Sequence, residues 1–185
     1  MSIDPVIAVT LRCLLTLMFA GAAWHKLADL TAFRIVLHDY RVVPPALVTP
    51  ATGLVVVTEL GVAATLPWTA SAPAAAWLAM TLLAVYAIAI AINLARGRRT
   101  LDCGCAPSAY RQPLSEWLLL RNAALIGAAA LTLLPVSPRA WAGLDWLTVT
   151  GAVVTGAMTW AAAQRLLALA TSASSALPAI RGFVR

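Results

Sequence analysis

Leu101-Asp102-Cys103-Gly104-Cys105-Ala106-Pro107-Ser108 is the polar island of this chain. It carries two of the three cysteines, and greasy sequence runs away from it on both sides. Its thiols stand one residue apart, with a glycine between them that relaxes the backbone. A disulfide across so few atoms departs from relaxed geometry, and strain makes such a bond easier to reduce. Cys103 and Cys105 therefore read as a labile exchange pair. The plain alternative is two ordinary loop cysteines, because C-x-C is a short motif.

Outward from the island the chain is membrane-like. Of 185 residues, 62% are hydrophobic and only 11% charged, against about 25% charged in soluble domains. Mean hydropathy is +0.87. The apolar runs predict spans over about 6–24, 47–66, 74–94, 114–134 and 146–167. Residues 32–41 are too short and too charged to span. Phe33, Val36, Leu37 and Tyr40 recur there at helical spacing, with Arg34, His38 and Arg41 between them, so an interfacial helix is expected. Pro44-Pro45 ends it. Ser115 or Pro113 near the start of the fourth span, and Glu116 in its first turn, suit a helix N-terminus. The expected fold is an all-α integral membrane protein: a four-helix transmembrane bundle, a fifth spanning helix and a short interfacial helix after the first span. Residues 1–168 form one polytopic domain. The tail, 169–185, is Ala/Ser-rich and suits either the membrane surface or disorder.

The net charge of +6 fits arginines at a membrane surface rather than nucleic-acid binding, since no aromatic-and-basic platform accompanies it. With alternating spans, Lys26, Arg34, Arg41, Arg96, Arg98, Arg99 and Arg111 share a face with the cysteines, joined by Arg165, Arg181 and Arg185. Arg139 stands alone opposite. That bias places the cysteine face in the cytoplasm.

Polar residues within the apolar runs are candidate supporting groups: Arg12, Glu59, Asn93, Arg121 and Asn122. Buried charges in a membrane pair or face the bundle interior. Arg12 and Glu59 have matching depths of about 9–10 Å on neighbouring antiparallel helices, which predicts an Arg12–Glu59 ion pair. Asn93, Arg121 and Asn122 lie near the cysteine face, as loop-orienting or interhelical hydrogen-bond groups. Arg96, Arg98 and Arg99 before the cysteines, and a helix N-terminus after them, favour thiolate. Asp102 opposes this. Cys13, inside the first apolar run, reads as packing. His25 and His38 share the face too, but the spacing is not that of compact zinc motifs, and no metal is assigned.

These residues resemble the MauE family of methylamine utilisation proteins, within a wider DoxX-like group. The likeness is carried by Gly21-Ala22-Ala23-Trp24-His25-Lys26-Leu27, by Phe33 and Tyr40 with the prolines after them, by Glu59-Leu60-Gly61, by Asp102-Cys103-Gly104-Cys105, and by Arg121-Asn122. It covers roughly residues 8–125. Family members often continue Cys-Gly-Cys with Phe-Gly, where this chain has Ala106-Pro107. The resemblance implies a bacterial inner-membrane protein that helps mature the disulfide-rich small subunit of methylamine dehydrogenase. It implies action with MauD, a thioredoxin-like partner, and Cys103 and Cys105 as the exchanging pair. That role votes for the periplasm, where disulfides are made, against the charge count. A non-catalytic scaffold or chaperone is the rival, and a metal or small-solute transporter a weaker third. The arrangement is also similar to vitamin K epoxide reductase; on that fold analogy alone the bundle accepts a quinone near the cysteines.

Overall fold

The computed structural model describes residues 2–104 and 112–183. Among them run α1 (Pro5–Ala28), α2 (Leu30–Tyr40), α3 (Val48–Thr65), α4 (Ala72–Ala95), α5 (Glu116–Leu131) and α6 (Gly143–Phe183). Four segments are long and apolar enough to cross a membrane: Pro5–Ala28, Pro45–Thr65, Ala72–Ala95 and Gly143–Leu166. The expected all-helical membrane fold is what the chain adopts.

The first helix runs past its expected end. Asp4 caps it by accepting from Val6 N–H at 2.8 Å, with Pro5 in the first turn. The polar patch Trp24–Ala28 stays helical because His25 and Lys26 suit a C-terminal turn and Lys26 points inward, only 3% exposed. Asp29 then makes the corner. Its N–H closes α1 on His25 O, and its Oδ1 caps α2 by accepting from Ala32 N–H at 2.8 Å. As expected, α2 turns Arg34 and His38 outward, keeps Phe33, Val36 and Leu37 half-buried, and buries Tyr40. Ile35 is the exception, exposed beside the charges.

The core is made of single stripes. Ala8, Arg12, Leu15, Phe19, Ala23 and Lys26 of α1 face Thr52, Val56, Glu59 and Val62 of α3, each spaced three or four residues apart as one helix face requires. In α4 the stripe is alanine at 72, 75, 76 and 79. Small residues let helices approach closely, which is how membrane bundles gain packing without a hydrophobic drive between helices. Gly156 serves α6 likewise, since a Cβ there would meet Leu14 Cδ2 at 2.8 Å. The outward faces, such as Leu54, Val57, Leu144 and Leu147, are apolar and exposed, as lipid contact demands.

α5 is shorter than the span expected over 114–134, at 16 residues or ~24 Å. It still joins the two ends of the bundle. It begins beside the cysteine loop, and past its end Ile3 N–H donates to Pro135 O and Ser137 N–H to Ile3 O, both at 2.9 Å. There Arg139 bonds Asp4 at 2.9 Å and Asp145 at 2.7 Å. The tail is helix through Phe183, continuous with the last span.

One expectation fails. Glu59 takes its ion pair from Lys26, Nζ to Oε1 at 2.6 Å, rather than from Arg12. The helices are staggered: Leu15 and Phe19 pack in one cluster with Val62 and Leu66, which sets Glu59 level with the last turn of α1. Arg12 lies on the same buried stripe, 14 residues or ~21 Å away. Depths counted from the edges of apolar runs missed this, because α1 extends four residues beyond its run. Tyr86 of α4 completes the group, its hydroxyl donating to Glu59 Oε1 at 2.7 Å.

Lys26→Leu or Glu59→Leu alone should cost ~3–5 kcal/mol by stranding the other charge, and the double change much less. Denaturation in detergent reads this; additive penalties would show that the pair is not coupled. At the far end, hydrogen bonding from Arg139 holds the Asp4 carboxyl below its ordinary 3.8. A depressed pKa stabilises above the unfolded value and is lost as pH falls through the folded one. Hydrogen exchange at Val6 and Ala8 should therefore be unchanged from pH 8 to 5 after correction for intrinsic rates, and rise below about pH 4. Arg139→Gln should bring that rise to higher pH.

Candidate functional site

The described cysteine lies in a strap. Leu101 and Leu114 meet through Leu114 N–H to Leu101 O at 3.1 Å, and Cys103 N–H donates to Gln112 O at 2.9 Å. Asp102 turns its Oδ1 onto Gly104 N–H and Gln112 N–H, both at 3.3 Å. Its carboxylate thus ties the two arms of the loop together. Residues 105–111, with Cys105 and Arg111, lie outside the described residues.

α2 holds the strap down. Tyr40 hydroxyl donates to Cys103 O at 3.4 Å. Gly104 has φ +71, and a Cβ there would stand 3.0 Å from Val36 Cγ1 and 3.5 Å from the Phe33 ring. Both the left-handed backbone and the close approach select glycine. Tyr40, Ile90, Leu114 and Leu118 close around Cys103, which is only 7% exposed.

The cation beside the thiol is Arg121, five residues into α5, with Nη2 at 3.7 Å from Cys103 Sγ. Its guanidinium lies over the Trp160 ring of α6 at 5.8 Å, which fixes its aim. The three arginines ahead of the cysteines act elsewhere. Arg96 donates to Arg41 O at 3.2 Å and Arg98 to Asp39 O at 2.9 Å, finishing the C-terminus of α2. Arg99 pairs with Glu116 at the surface. Asn93 is fully buried and local: its Nδ2 donates to Ala89 O at 3.0 Å, and its carbonyl accepts from Arg98 N–H at 2.9 Å, closing α4 just before the strap. Asn122 is 1% exposed, and among the described residues its Nδ2 has no hydrogen-bond partner.

Arg121 therefore sits with Cys103, and Glu59 with Lys26 and Tyr86. Arg12 joins neither group, and Cys13 lies half-buried on α1, away from the loop. Sequence reading missed Lys26, Tyr40, Tyr86 and Trp160. Lys26 was legible, since it continues the stripe Leu15, Phe19, Ala23. The aromatics carried no signal, because an aromatic at helical spacing is more often plain core. A cation at 3.7 Å favours the ionised sulfur, the form that attacks disulfides.

The family model of the methylamine utilisation protein MauE matches residues 4–135. A Paracoccus denitrificans protein named methylamine utilization protein MauE is 39% identical over 127 residues, 69% of this chain and 68% of its own length. One of the same name from Methylorubrum extorquens is 39% identical over 161 residues, covering 80% of this chain and 87% of its own. Another, from Paracoccus versutus, is 38% identical over 132 residues, covering 69% and 71%. No solved structure matches the chain.

Arg121→Gln should slow alkylation of Cys103 by N-ethylmaleimide at pH 7 roughly tenfold, since a charge pair at 4 Å is worth ~1–4 kcal/mol. Arg121→Lys should recover part of it. An unchanged rate in Arg121→Gln, followed by mass spectrometry of the Cys103 peptide, would remove Arg121 from the chemistry.

Proposed function

This chain belongs to the MauE family of methylamine utilisation proteins, and from that premise we propose that it matures the disulfide-rich small subunit of methylamine dehydrogenase by thiol–disulfide exchange. The observation that carries the reading is the Arg121 guanidinium against the Cys103 sulfur in a strapped loop at one end of the bundle. Cys103 thiolate attacks a substrate disulfide, forms a mixed disulfide and releases the other substrate sulfur as a thiolate. Cys105 then displaces the remaining substrate sulfur, closing Cys103–Cys105 and leaving the substrate dithiol. Run in reverse, the same two steps place a disulfide in the substrate. A thioredoxin-like protein of the MauD type exchanges with the pair and resets it.

The membrane proposed is the bacterial inner membrane, with the cysteine loop facing the periplasm, where disulfides are made. The charge bias opposing this is smaller on the folded protein than in the sequence. Lys26 is buried in its ion pair, and Arg99 is matched by Glu116. Labelling of whole cells with a membrane-impermeant maleimide decides the face.

A second reading is a non-catalytic scaffold that recruits the precursor and the thioredoxin-like protein. The burial of Cys103 favours it, because a sulfur only slightly exposed must be uncovered before it can exchange.

Cys103→Ser and Cys105→Ser should each abolish formation of active dehydrogenase in a complementation assay, and Cys13→Ser should leave it nearly intact. One loop variant should accumulate a mixed disulfide on non-reducing gels, its resolving thiol being gone. Normal activity with both loop cysteines replaced would rule out exchange in favour of the scaffold.

A further inference from the structure

A cavity of about 580 Å³ opens between α1, α5 and α6, with Tyr86 of α4 and Glu59 of α3 at its base. Its walls are mostly apolar, among them Leu14, Phe19 and Leu125, and it reaches the half-exposed Leu17 on the lipid-facing surface. Its size is that of a site for a small organic ligand. At its buried end stand Arg121 and Asn122.

We infer that this cavity binds a neutral, planar, membrane-soluble carbonyl compound of the quinone class. Three observations fix the class. Asn122 Nδ2 is an N–H donor in a residue 1% exposed, lining the cavity with no partner among the described residues. A buried donor without an acceptor is costly, and a ligand carbonyl supplies that acceptor. The charges at the buried end balance, with Arg121 facing Glu59 and Lys26 behind it. A neutral head fits there better than an anion or a cation. The walls carry three aromatic faces, Phe19, Tyr86 and Trp160, against which a flat ring packs. An apolar tail then runs along the leucines of α1 toward Leu17 and the lipid.

This site is distinct from the exchange chemistry proposed above, and its test reads binding alone, so either can fail without the other. The purified full-length chain in detergent is titrated with a short-tailed benzoquinone, following tryptophan fluorescence and melting temperature. Saturable quenching and a raised melting temperature are expected. Asn122→Leu should weaken binding roughly tenfold, the worth of one hydrogen bond to a buried group. Ala157→Phe, which fills the cavity from α6, should abolish binding while the variant remains helical and membrane-inserted. Asn122→Asp, isosteric with the native residue but with its donor replaced, checks that any loss in Asn122→Leu is not misfolding. It should bind as poorly as Asn122→Leu. Absence of saturable binding by the folded wild-type chain overturns the proposal. So does equal affinity in all three variants, or tighter binding of palmitate or phosphatidylglycerol than of the quinone.

Discussion

The interaction on which the rest of this structure depends is the buried bond between Lys26 and Glu59. A charge in hydrocarbon must be paired or turned to water, and neither residue has a way to water, being 3% and 1% exposed. The pair therefore fixes how α1 and α3 slide past each other. Tyr86 adds α4 to the same register through its hydroxyl on Glu59. The Lys26 ammonium also lies over the Phe33 ring of α2 at 5.1 Å. Four helices thus meet at one carboxylate and one amine. In a membrane, where apolar packing alone sets register weakly, such a polar centre specifies the arrangement more than it adds stability.

The position of α2 follows from that centre, and the thiol loop follows from α2. Asp29 turns the chain directly after Lys26, so α2 starts at a fixed point. Phe33, Val36 and Tyr40 then cover Gly104 and reach the Cys103 carbonyl. Arg96 and Arg98 pin the other end of α2 to the exit of α4. The loop is gripped from one side by an interfacial helix and from the other by Arg121 on α5. A reactive sulfur held this way has its surroundings set by elements that are themselves held by the ion pair.

Much of this was legible in the sequence. Long apolar runs demand helices in lipid, since no other backbone satisfies its own hydrogen bonds there, and the Cys-Gly-Cys island marked the loop. Arg121 and Asn122 were visible as polar residues in an apolar run, although which one faces the sulfur was not. Pairing was the part that failed. Glu59 was seen to need a cation, and Arg12 was chosen on depth. Depth rests on where a helix begins and ends, and the polar last turn of α1 hid its true end. The three arginines before the cysteines misled for a related reason. Nearness in sequence suggested that they face the thiols, whereas their long side chains satisfy the last carbonyls of α2, which no reading of α4 alone reveals.

The pairing of Ile3 with residues 135–137 bears on the order in which the molecule is built. The first backbone segment of the chain waits for partners synthesised some 130 residues later. Chain-end contacts of this separation close late, because the intervening loop entropy must be overcome first. By then five helices have emerged and the bundle's polar centre is already assembled. The short Ile3–Ser137 ladder and the Arg139 cluster beside it are therefore the latch of the assembly. They join the newest part of the protein to the oldest, and only a chain whose α5 has reached the far end of the bundle can fasten them.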